Sequence, residues 1–340
     1  MAALDRRIKT EGAISFPAAP ALLEHYLRRL SALFASAGKT FSRAELASLR
    51  GFLEERMKAG FEQSPHARVH VRWEPEAPPG VGVDYKIWLE GGSIEGEYDH
   101  WAADNGPPPF GPNPDAKLLD VVQRLPHPKR HRILDIGAGS GRNTLALARA
   151  GFNVDALELT PAFCKGLQRV ARTERLPIQV LQSSLFANEL KLGRARYSVI
   201  VCSEVTSHFR GFAELRQFFE RAAVSLRPGG SLLVNVFLAQ NGFEPTQVAR
   251  QLSQIAWSTL FTRAELSKAT RGLGLSRVSD ESVHDYERAH QPADGWPPTS
   301  WFESWSRGLN CYRVGKSAAP MELRWLHYRK PASSRGAGST

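Results

Sequence analysis

The first part of the chain carries two hydrophobic patterns in succession. Between residues 20 and 62, apolar side chains recur every three or four positions, which is typical of amphipathic helices. Ser42, followed three residues later by Glu45, predicts that one of these helices begins at a capping box. Between residues 67 and 90, apolar and polar residues alternate, and the sequence PPG at 78–80 interrupts the alternation. The two patterns predict two or three helices followed by a β-hairpin.

The middle of the chain alternates short apolar runs with longer amphipathic stretches. The runs predict strands at residues 132–136, 153–157, 178–181, 198–202 and 231–237. The amphipathic stretches predict helices at residues 141–150, 161–174, 211–226 and 245–271. Strands separated by helices of this size imply crossover connections and a mostly parallel sheet that helices cover on both faces. Two later runs, at 275–278 and 322–328, predict further strands at the edge of this sheet.

A segment rich in proline and glycine marks the clearest boundary between domains. Residues 106–114 read GPPPFGPNP, and such a sequence does not form a helix or a central strand, because proline lacks the backbone donor. We predict an accessory region over residues 1–105, a hinge over 106–116, a main domain over 117–330 with an insertion at about 281–320, and a disordered tail over 331–340.

The most informative segment joins the first predicted strand of the main domain to its first helix. The strand at 132–136 runs directly into GAGSG at 137–141. A glycine-rich turn at a helix start lets backbone amides approach a ligand closely. Glu158, at the end of the next strand, can accept two hydrogen bonds from a ribose diol. The third glycine of a dinucleotide fingerprint would fall at Arg142, so the spacing disfavours a nicotinamide or flavin dinucleotide.

At these residues the chain resembles the class I S-adenosylmethionine-dependent methyltransferases. The matching segments follow one another in the family's order: LDIGAGSG, ALELTP, YSVIVCSEVTSHF and LRPGGSLLVNVF. The resemblance covers about residues 117–280 and a final strand at 321–329. It implies an α/β, Rossmann-like fold with a seven-stranded sheet, in which the strand at 322–328 is antiparallel and inserted near the edge. It also implies S-adenosyl-L-methionine as the cofactor.

The resemblance assigns cofactor-binding roles by position. The residues implied are Asp135, Gly137, Ala138, Gly139, Gly141, Glu158, Leu159, Ser184, Leu185 and Ser203. Ser183 and Ser184 stand where the family often has an acid at the adenine edge, so the hydrogen bond of that acid to the adenine amine is not expected here.

Two residues in the loop after the fourth strand are candidates for catalysis. Glu204 and His208 lie where a general base can accept a proton from the methyl acceptor. The alternatives are that His208 is a packing histidine at a helix end, and that Glu204 contacts the cofactor or solvent. Methyl transfer needs a base only when the acceptor atom carries a proton in its reacting state.

Aromatic residues on either side of the main domain are candidates for covering the substrate. Tyr98 and Trp101 precede the hinge, and a lid aromatic facing the sulfonium would gain a cation–π contact; simple packing is the alternative. Trp301 and Trp305 lie one helical turn apart in the insertion, where they either roof a substrate pocket or fasten the insertion to the accessory region. No His, Cys, Asp and Glu spacing indicates a metal site.

Composition narrows the partners and the compartment. The chain holds 44 Lys and Arg against 34 Asp and Glu, and residues 116–280 account for the excess with 23 against 12. A basic chain suggests nucleic acid as a partner, but this chain has no basic tail. Because the methyl donor is itself a cation, the basic excess does not serve to bind it. The charge therefore favours an arginine-rich surface, and it is also compatible with a small anionic substrate. No apolar run spans a membrane, the amino terminus lacks a leader, and three distant cysteines form no disulfide framework, which favours a cytoplasmic protein.

These observations lead to one expected activity and two alternatives. We expect transfer of a methyl group to a small-molecule acceptor in biosynthetic or secondary metabolism. The alternatives are an RNA or protein methyltransferase and a non-catalytic module that binds S-adenosylmethionine. The segment after the fourth strand has neither an Asn-Pro-Pro-Tyr nor a Pro-Cys sequence, which disfavours two kinds of nucleobase methylation. The sequence indicates neither the acceptor atom nor the oligomeric state.

Overall fold

The computed structural model describes residues 11–77, 83–92, 96, 98, 110–312 and 319–332. They form two compact units. The first unit contains the described residues up to position 97 together with residues 246–255, and the second contains the described residues of 98–245 and from 256 onward. Trp101, the PPG sequence at 78–80, residues 106–109 of the predicted hinge and residues 333–340 of the predicted tail lie outside the described residues. The predicted domain limits therefore stay a prediction.

Helices and strands follow one another along the chain as follows. The strands are β1 (Gly12–Pro17), β2 (Arg68–Pro75), β3 (Val83–Glu90), β4 (Arg132–Ile136), β5 (Asn153–Glu158), β6 (Ile178–Gln182), β7 (Tyr197–Cys202), β8 (Leu226–Ala239), β9 (Leu260–Phe261), β10 (Ser276–Ser282) and β11 (Met321–Arg329). The α-helices are α1 (Leu23–Ser36), α2 (Arg43–Gln63), α3 (Ala116–Val122), α4 (Arg142–Arg149), α5 (Pro161–Thr173), α6 (Phe212–Ser225), α7 (Gln247–Ile255), α8 (Arg263–Thr270), α9 (Val283–His290) and α10 (Phe302–Ser306).

The first unit packs α1 and α2 on an antiparallel sheet whose described strands lie in the order β1-β2-β3. Ser42 Oγ accepts a hydrogen bond from Glu45 N, and the Glu45 carboxylate accepts one from Ser42 N, so the predicted capping box is confirmed. Strands β2 and β3 confirm the predicted hairpin pairing. Strand β1 was not predicted, because its sequence GAISFP is too short to show an alternation.

The second unit is built on a larger sheet with helices on both faces. Its described strands lie in the order β10-β11-β8-β7-β4-β5-β6, and the short β9 pairs with β8. Strands β4 to β8 pair in parallel, whereas β11 is antiparallel to both β8 and β10. The predicted α/β, Rossmann-like sheet with an antiparallel strand near its edge is confirmed. Helices α9 and α10 lie in the segment between β10 and β11.

The single helix predicted over residues 245–271 is wrong. The structure has two helices there, α7 and α8, separated by β9. The break follows from the sequence STLFT at 258–262, whose β-favouring residues pair with β8, and from Thr262, which starts a new helix by capping with Glu265. Helix α7 packs in the first unit, where Ala21 N donates to the Gln251 side chain at 2.8 Å.

The parallel strands β4, β5, β6 and β7 bring their carboxyl ends to one edge of the sheet. In open α/β sheets this edge is where ligands bind. The segments that follow these strands begin at residues 137, 159, 183 and 203. Most of the residues that the sequence singled out for chemistry therefore lie at this edge. Among the described residues, no helix combines the length and the apolar character that crossing a membrane requires.

Candidate functional site

The loop from Gly137 to Gly141, called the glycine loop below, requires glycine because its φ angles are positive and because neighbouring side chains leave little room for a Cβ. Gly137, Gly139 and Gly141 have φ angles of 71°, 53° and 96°, a region that other L-residues rarely adopt. A Cβ on Gly137 would lie 2.2 Å from Val205 Cγ2, and one on Gly141 would lie 2.4 Å from Leu167 Cδ2. The loop therefore lies closely against the segment that follows β7 and against α5.

Strand β5 holds the glycine loop in place through its backbone and through Glu158. Gly137 N and Ala138 N donate to the Leu157 carbonyl at 2.8 and 3.1 Å. Gly139 N donates to Glu158 Oε2, and Thr160 N donates to Glu158 Oε1, both at 2.7 Å. Glu158 is only 7% exposed. Because each carboxylate oxygen has a second lone pair, Glu158 can still accept hydrogen bonds from a ligand while it orders the loop.

Asp135 connects the end of β4 to the first turn of α4. Its carboxylate accepts a hydrogen bond from Thr144 Oγ1 at 2.6 Å. Burial raises the pKa of Asp135 to about 6, although the Thr144 hydrogen bond acts in the opposite direction. This hydrogen bond joins β4 to α4, the two elements that the glycine loop connects, and the predicted role of Asp135 in the cofactor site stays a prediction.

Arg142, the first residue of α4, is a buried cation at the end of the glycine loop. Its Nη1 pairs with Asp115 Oδ1 at 2.7 Å, and its Nη2 pairs with Glu204 Oε1 at 2.5 Å. Burial alone would lower the pKa of Arg142, but the neighbouring carboxylates outweigh burial and raise it. The sequence had shown Arg142 only as a departure from the dinucleotide fingerprint.

Asn235 of β8 orders the loop that carries Ser203 and Glu204. Its side-chain oxygen accepts from Glu204 N at 2.7 Å, and its side-chain nitrogen donates to Ser203 Oγ at 3.2 Å. Thr206 Oγ1 donates to the Asn235 carbonyl at 2.7 Å. Glu204 is thereby held in the left-handed region, with a φ of 61°. The sequence signal for Asn235 is that it is a polar residue inside the apolar run LLVNVF at 232–237.

Four carboxylates surround Arg142, and we call them the acidic cluster: Asp115, Asp135, Glu204 and Glu287. Glu287 of α9 accepts hydrogen bonds from Ala116 N at 2.8 Å and from Trp325 Nε1 at 2.9 Å. Burial raises the pKa of Glu204 to about 7, even though Arg142 lowers it. When its members are ionised, the cluster carries more negative charge than Arg142 neutralises, and this environment favours a cationic ligand.

Several aromatic side chains contact one another in a group that reaches the glycine loop through Phe110, and we call them the aromatic cluster: Tyr98, Phe110, Phe163, His208 and Trp257. A Cβ on Gly139 would lie 3.1 Å from the Phe110 ring. The Tyr98 hydroxyl and His208 Nε2 form a 2.8 Å hydrogen bond. Burial raises the pKa of Tyr98, and the charges of Glu204 and Glu158 raise it further, so its phenol stays protonated.

The residues predicted at the adenine edge follow β5 and β6 directly. Leu159 is 37% exposed beside the buried Glu158. Leu185 is buried, and Ser184 Oγ accepts a hydrogen bond from Phe186 N at 3.2 Å. Strands β5 and β6 are neighbours, with Glu158 opposite Gln182, so these residues lie at adjacent strand ends. Their contact with an adenine ring stays a prediction.

The two tryptophans predicted as cover differ in their surroundings. Trp301 is 39% exposed, and its ring contacts Phe302 and Trp305. Trp305 is buried, packs on Phe237 of β8 and donates its indole N–H to the Trp257 carbonyl at 2.7 Å. Trp257 is absent from the predicted site residues, because it lies inside a stretch for which the sequence pattern predicts continuous helix. Among the described residues, no three His, Cys, Asp or Glu side chains are placed to hold a metal ion.

Comparison with known proteins gives a match over the part of the chain that contains this site. Residues 113–279 match a family model described as a methyltransferase domain. A ubiquinone biosynthesis O-methyltransferase from Rickettsia akari is 28% identical over 124 residues, which is 35% of this chain and 47% of that protein. The chain thus spans about half the length of this relative.

Two further comparisons extend the match. A dTDP-3-amino-3,6-dideoxy-alpha-D-glucopyranose N,N-dimethyltransferase from Streptomyces fradiae is 28% identical over 186 residues, which is 52% of this chain and 69% of that protein. The solved structure of geranyl diphosphate C-methyltransferase from Streptomyces coelicolor A3(2) superposes with a TM-score of 0.51 at 12% identity, over 69% of this chain and 97% of that one. At this identity the superposition shows a shared fold.

Proposed function

We propose that this chain, whose residues 113–279 match a methyltransferase-domain model, is a class I S-adenosylmethionine-dependent methyltransferase. It would transfer a methyl group from S-adenosyl-L-methionine to a small-molecule acceptor in biosynthetic or secondary metabolism. The observation that carries the proposal is the position of the glycine loop, Glu158 and the acidic cluster at one edge of the sheet. Relatives named for ubiquinone biosynthesis and for an amino-sugar nucleotide support a small acceptor.

The placement and the charge of the described residues support binding of the donor. Glycine at 137 and 141 lets the loop pack closely on Val205 and Leu167, which would hold its backbone amides in one conformation at the strand ends. Glu158 would hold the ribose hydroxyls, and Leu159, Ser184 and Leu185 would border the adenine. The acidic cluster would lower the energy of a ligand that carries a sulfonium and an ammonium group.

When bound, the donor supplies a sulfonium methyl whose bond to sulfur breaks with the electron pair returning to sulfur. The protein's contribution is mainly placement, because an activated donor reacts when its nucleophile is held in line. The aromatic cluster excludes water and provides a face for the sulfonium charge, a contact worth about 0.5–2 kcal/mol.

We further propose that His208 is the general base for an acceptor that must lose a proton. The Tyr98 hydroxyl stays protonated, and its oxygen can accept a hydrogen bond from His208 Nε2–H; in that tautomer Nδ1 is the unprotonated nitrogen that would accept the proton. Proton transfer from the acceptor to a positioned histidine contributes about 10²–10⁴-fold to such reactions. Glu204 is bound to Arg142, which favours its assignment to the donor's electrostatic environment.

Calorimetric titration of the full chain with S-adenosyl-L-methionine and S-adenosyl-L-homocysteine tests donor binding. Gly139→Asp should abolish binding, because the side chain would enter the space against Phe110 and place a charge at the loop. Gly51→Asp is the matched control, since no atom lies within 4 Å of its Cβ position in α2. Absence of binding to the parent protein, or unchanged binding to Gly139→Asp, contradicts the proposal.

Transfer itself is tested by adding purified protein and labelled donor to a metabolite extract and identifying the molecule that gains the label. We expect a low-molecular-weight product, and His208→Gln should lower its rate of formation while leaving donor affinity within about twofold. Label found only in RNA or protein would contradict the small-molecule assignment.

A further inference from the structure

Trp305 has a hydrogen bond that packing alone does not require. Its ring lies edge-to-face on Phe237 of β8, with centroids 5.0 Å apart, and contacts Trp301 and Phe302. A phenylalanine would satisfy most of these apolar contacts. The indole N–H, however, donates to the Trp257 carbonyl at 2.7 Å. Trp305 therefore holds the backbone of Trp257 in addition to packing in the core.

The backbone of Trp257 needs such support. Its φ angle is 56°, in the left-handed region that is strained for a bulky side chain. Two residues further on, Thr259 N and Thr259 Oγ1 both donate to the Ser207 carbonyl, at 3.1 and 2.7 Å. The segment 257–259 is therefore held by Trp305 on one side and by the residue preceding His208 on the other.

The Trp257 side chain lies against His208, the proposed base. The Trp257 ring stands at 89° to the His208 imidazole, with centroids 5.1 Å apart. It stands at 79° to the Tyr98 ring, with centroids 5.7 Å apart. Together with the hydrogen bond between Tyr98 and His208 Nε2, this ring restricts the plane of the imidazole.

We propose that Trp305 is a positioning residue for His208: its indole N–H holds the Trp257 carbonyl, and the Trp257 ring in turn fixes the imidazole so that Nε2 faces Tyr98. The effect on catalysis rests on the proposed function, whereas the effect on the imidazole does not. This gives the segment between β10 and β11 a role in the reaction without contact with the substrate.

Trp305→Phe isolates the hydrogen bond, because it keeps a ring in the core and removes the N–H. Trp88→Phe is the matched control, since it is the same replacement at an exposed position in β3 of the first unit. Histidine-selective ¹⁵N labelling reports the tautomer of His208, and the His208→Gln variant assigns its signals among the ten histidines.

We expect one tautomer for His208 in the parent protein and in Trp88→Phe, and a mixture in Trp305→Phe. We expect kcat to fall about tenfold to a hundredfold in Trp305→Phe, with donor affinity and acceptor KM changed less than threefold, because misplacing a base by a fraction of an ångström affects the chemical step. A His208 spectrum and a kcat equal to those of the parent overturn the proposal.

A second variant decides the matter if Trp305→Phe does not fold. Trp257→Gly tolerates the left-handed backbone and keeps the carbonyl that accepts from Trp305, but it removes the ring against His208. It should give the same mixture of His208 tautomers, and an unchanged tautomer overturns the proposal. If the parent transfers no methyl group, the proposed function fails, yet the tautomer measurement still decides the positioning of His208.

Discussion

Glu204 is the residue whose charge state has the most direct effect on the site. It is buried beside Arg142, its backbone is held by Asn235, and burial raises the pKa of its carboxyl to about 7. A carboxyl that titrates near neutral pH changes the net charge of the acidic cluster within the ordinary working range. The charge available to a cationic donor therefore depends on pH.

We predict that affinity for S-adenosylmethionine falls as the pH decreases from 8 to 6. Below about pH 7 Glu204 takes up a proton and loses its negative charge, and Asp135, with a pKa of about 6, follows. The loss should be about tenfold over this range, which corresponds to about 1.4 kcal/mol. Calorimetry in buffers of different ionisation enthalpy should also show proton release on binding near pH 7. Glu204→Gln should flatten the dependence above pH 6.5; equal slopes for parent and variant would argue against it.

A second prediction concerns the space around Gly137. Gly137→Ala should lower the free energy of unfolding by about 2–4 kcal/mol, because it combines a left-handed alanine with a Cβ placed 2.2 Å from Val205 Cγ2. Val205→Ala removes the obstructing methyl group. Urea titration of both single variants and the double variant should show the double variant more stable than the sum of the single changes by about 1 kcal/mol or more. Strict additivity would mean that steric contact is not the cause.

The residues at the site differ in how far the sequence could predict them. Gly137, Gly139 and Glu158 occupy fixed positions relative to a strand, so their place in the loop could be inferred. Asp115 and Arg142 meet only through tertiary contact, and no local pattern shows that their charges are buried together. Asn235 did leave a local signal as a polar residue inside an apolar run, whereas Trp257 lies in a segment for which the pattern wrongly predicts continuous helix.

At the scale of elements, the sequence predicts strands that consist of a continuous apolar run. It does not predict strands that form only because they pair with a strand distant in the sequence. Strands β4 to β7 agree with their apolar runs within about one residue at either end. Strand β9 has two residues and exists through its pairing with β8, so local pattern did not distinguish it from helix. The capping box is a short sequence pattern that could nevertheless be predicted, because Ser42 and Glu45 interact within one helical turn.

The capping box of α2 gives a prediction about stability. Ser42→Ala removes the side-chain acceptor of Glu45 N and should lower the free energy of unfolding by about 1 kcal/mol. Ser48→Ala, at an exposed position inside the same helix, is the control and should leave stability unchanged or slightly higher. Urea denaturation followed by far-ultraviolet circular dichroism measures both. A smaller loss for Ser42→Ala than for the control would contradict the role of the cap.

At the scale of the whole molecule, net charge gave little information about the site. The basic excess of residues 116–280 includes arginines that are committed to ion pairs, such as Arg132 and Arg196 on either side of the buried Asp155. It also includes Arg142, which lies among carboxylates at the glycine loop. A sum of charges does not separate these roles, because it contains no information about burial.

The division into two units predicts how the chain can be shortened. Residues 98–340 contain the proposed donor site, but α7 within them packs in the first unit, where Gln251 is buried and accepts from Ala21 N. Deleting residues 1–97 alone should leave an unpartnered helix and cause aggregation, whereas also replacing residues 246–255 with a Gly-Ser linker should give a monomeric protein. Light scattering and donor titration compare the two forms. Equal solubility would contradict the assignment of α7.

The place of β11 determines when the nascent chain can finish folding. Strand β11 pairs with β8 from Met321 to Arg329 on one side and with β10 on the other, although it follows both of them in the sequence. Until residues 321–329 leave the ribosome, β8 therefore exposes an open hydrogen-bonding edge and β10 has no neighbour in the sheet. An open edge on an apolar strand is a site for aggregation. Completion of the sheet therefore waits for the synthesis of β11, and the edge of β8 stays open in the interval.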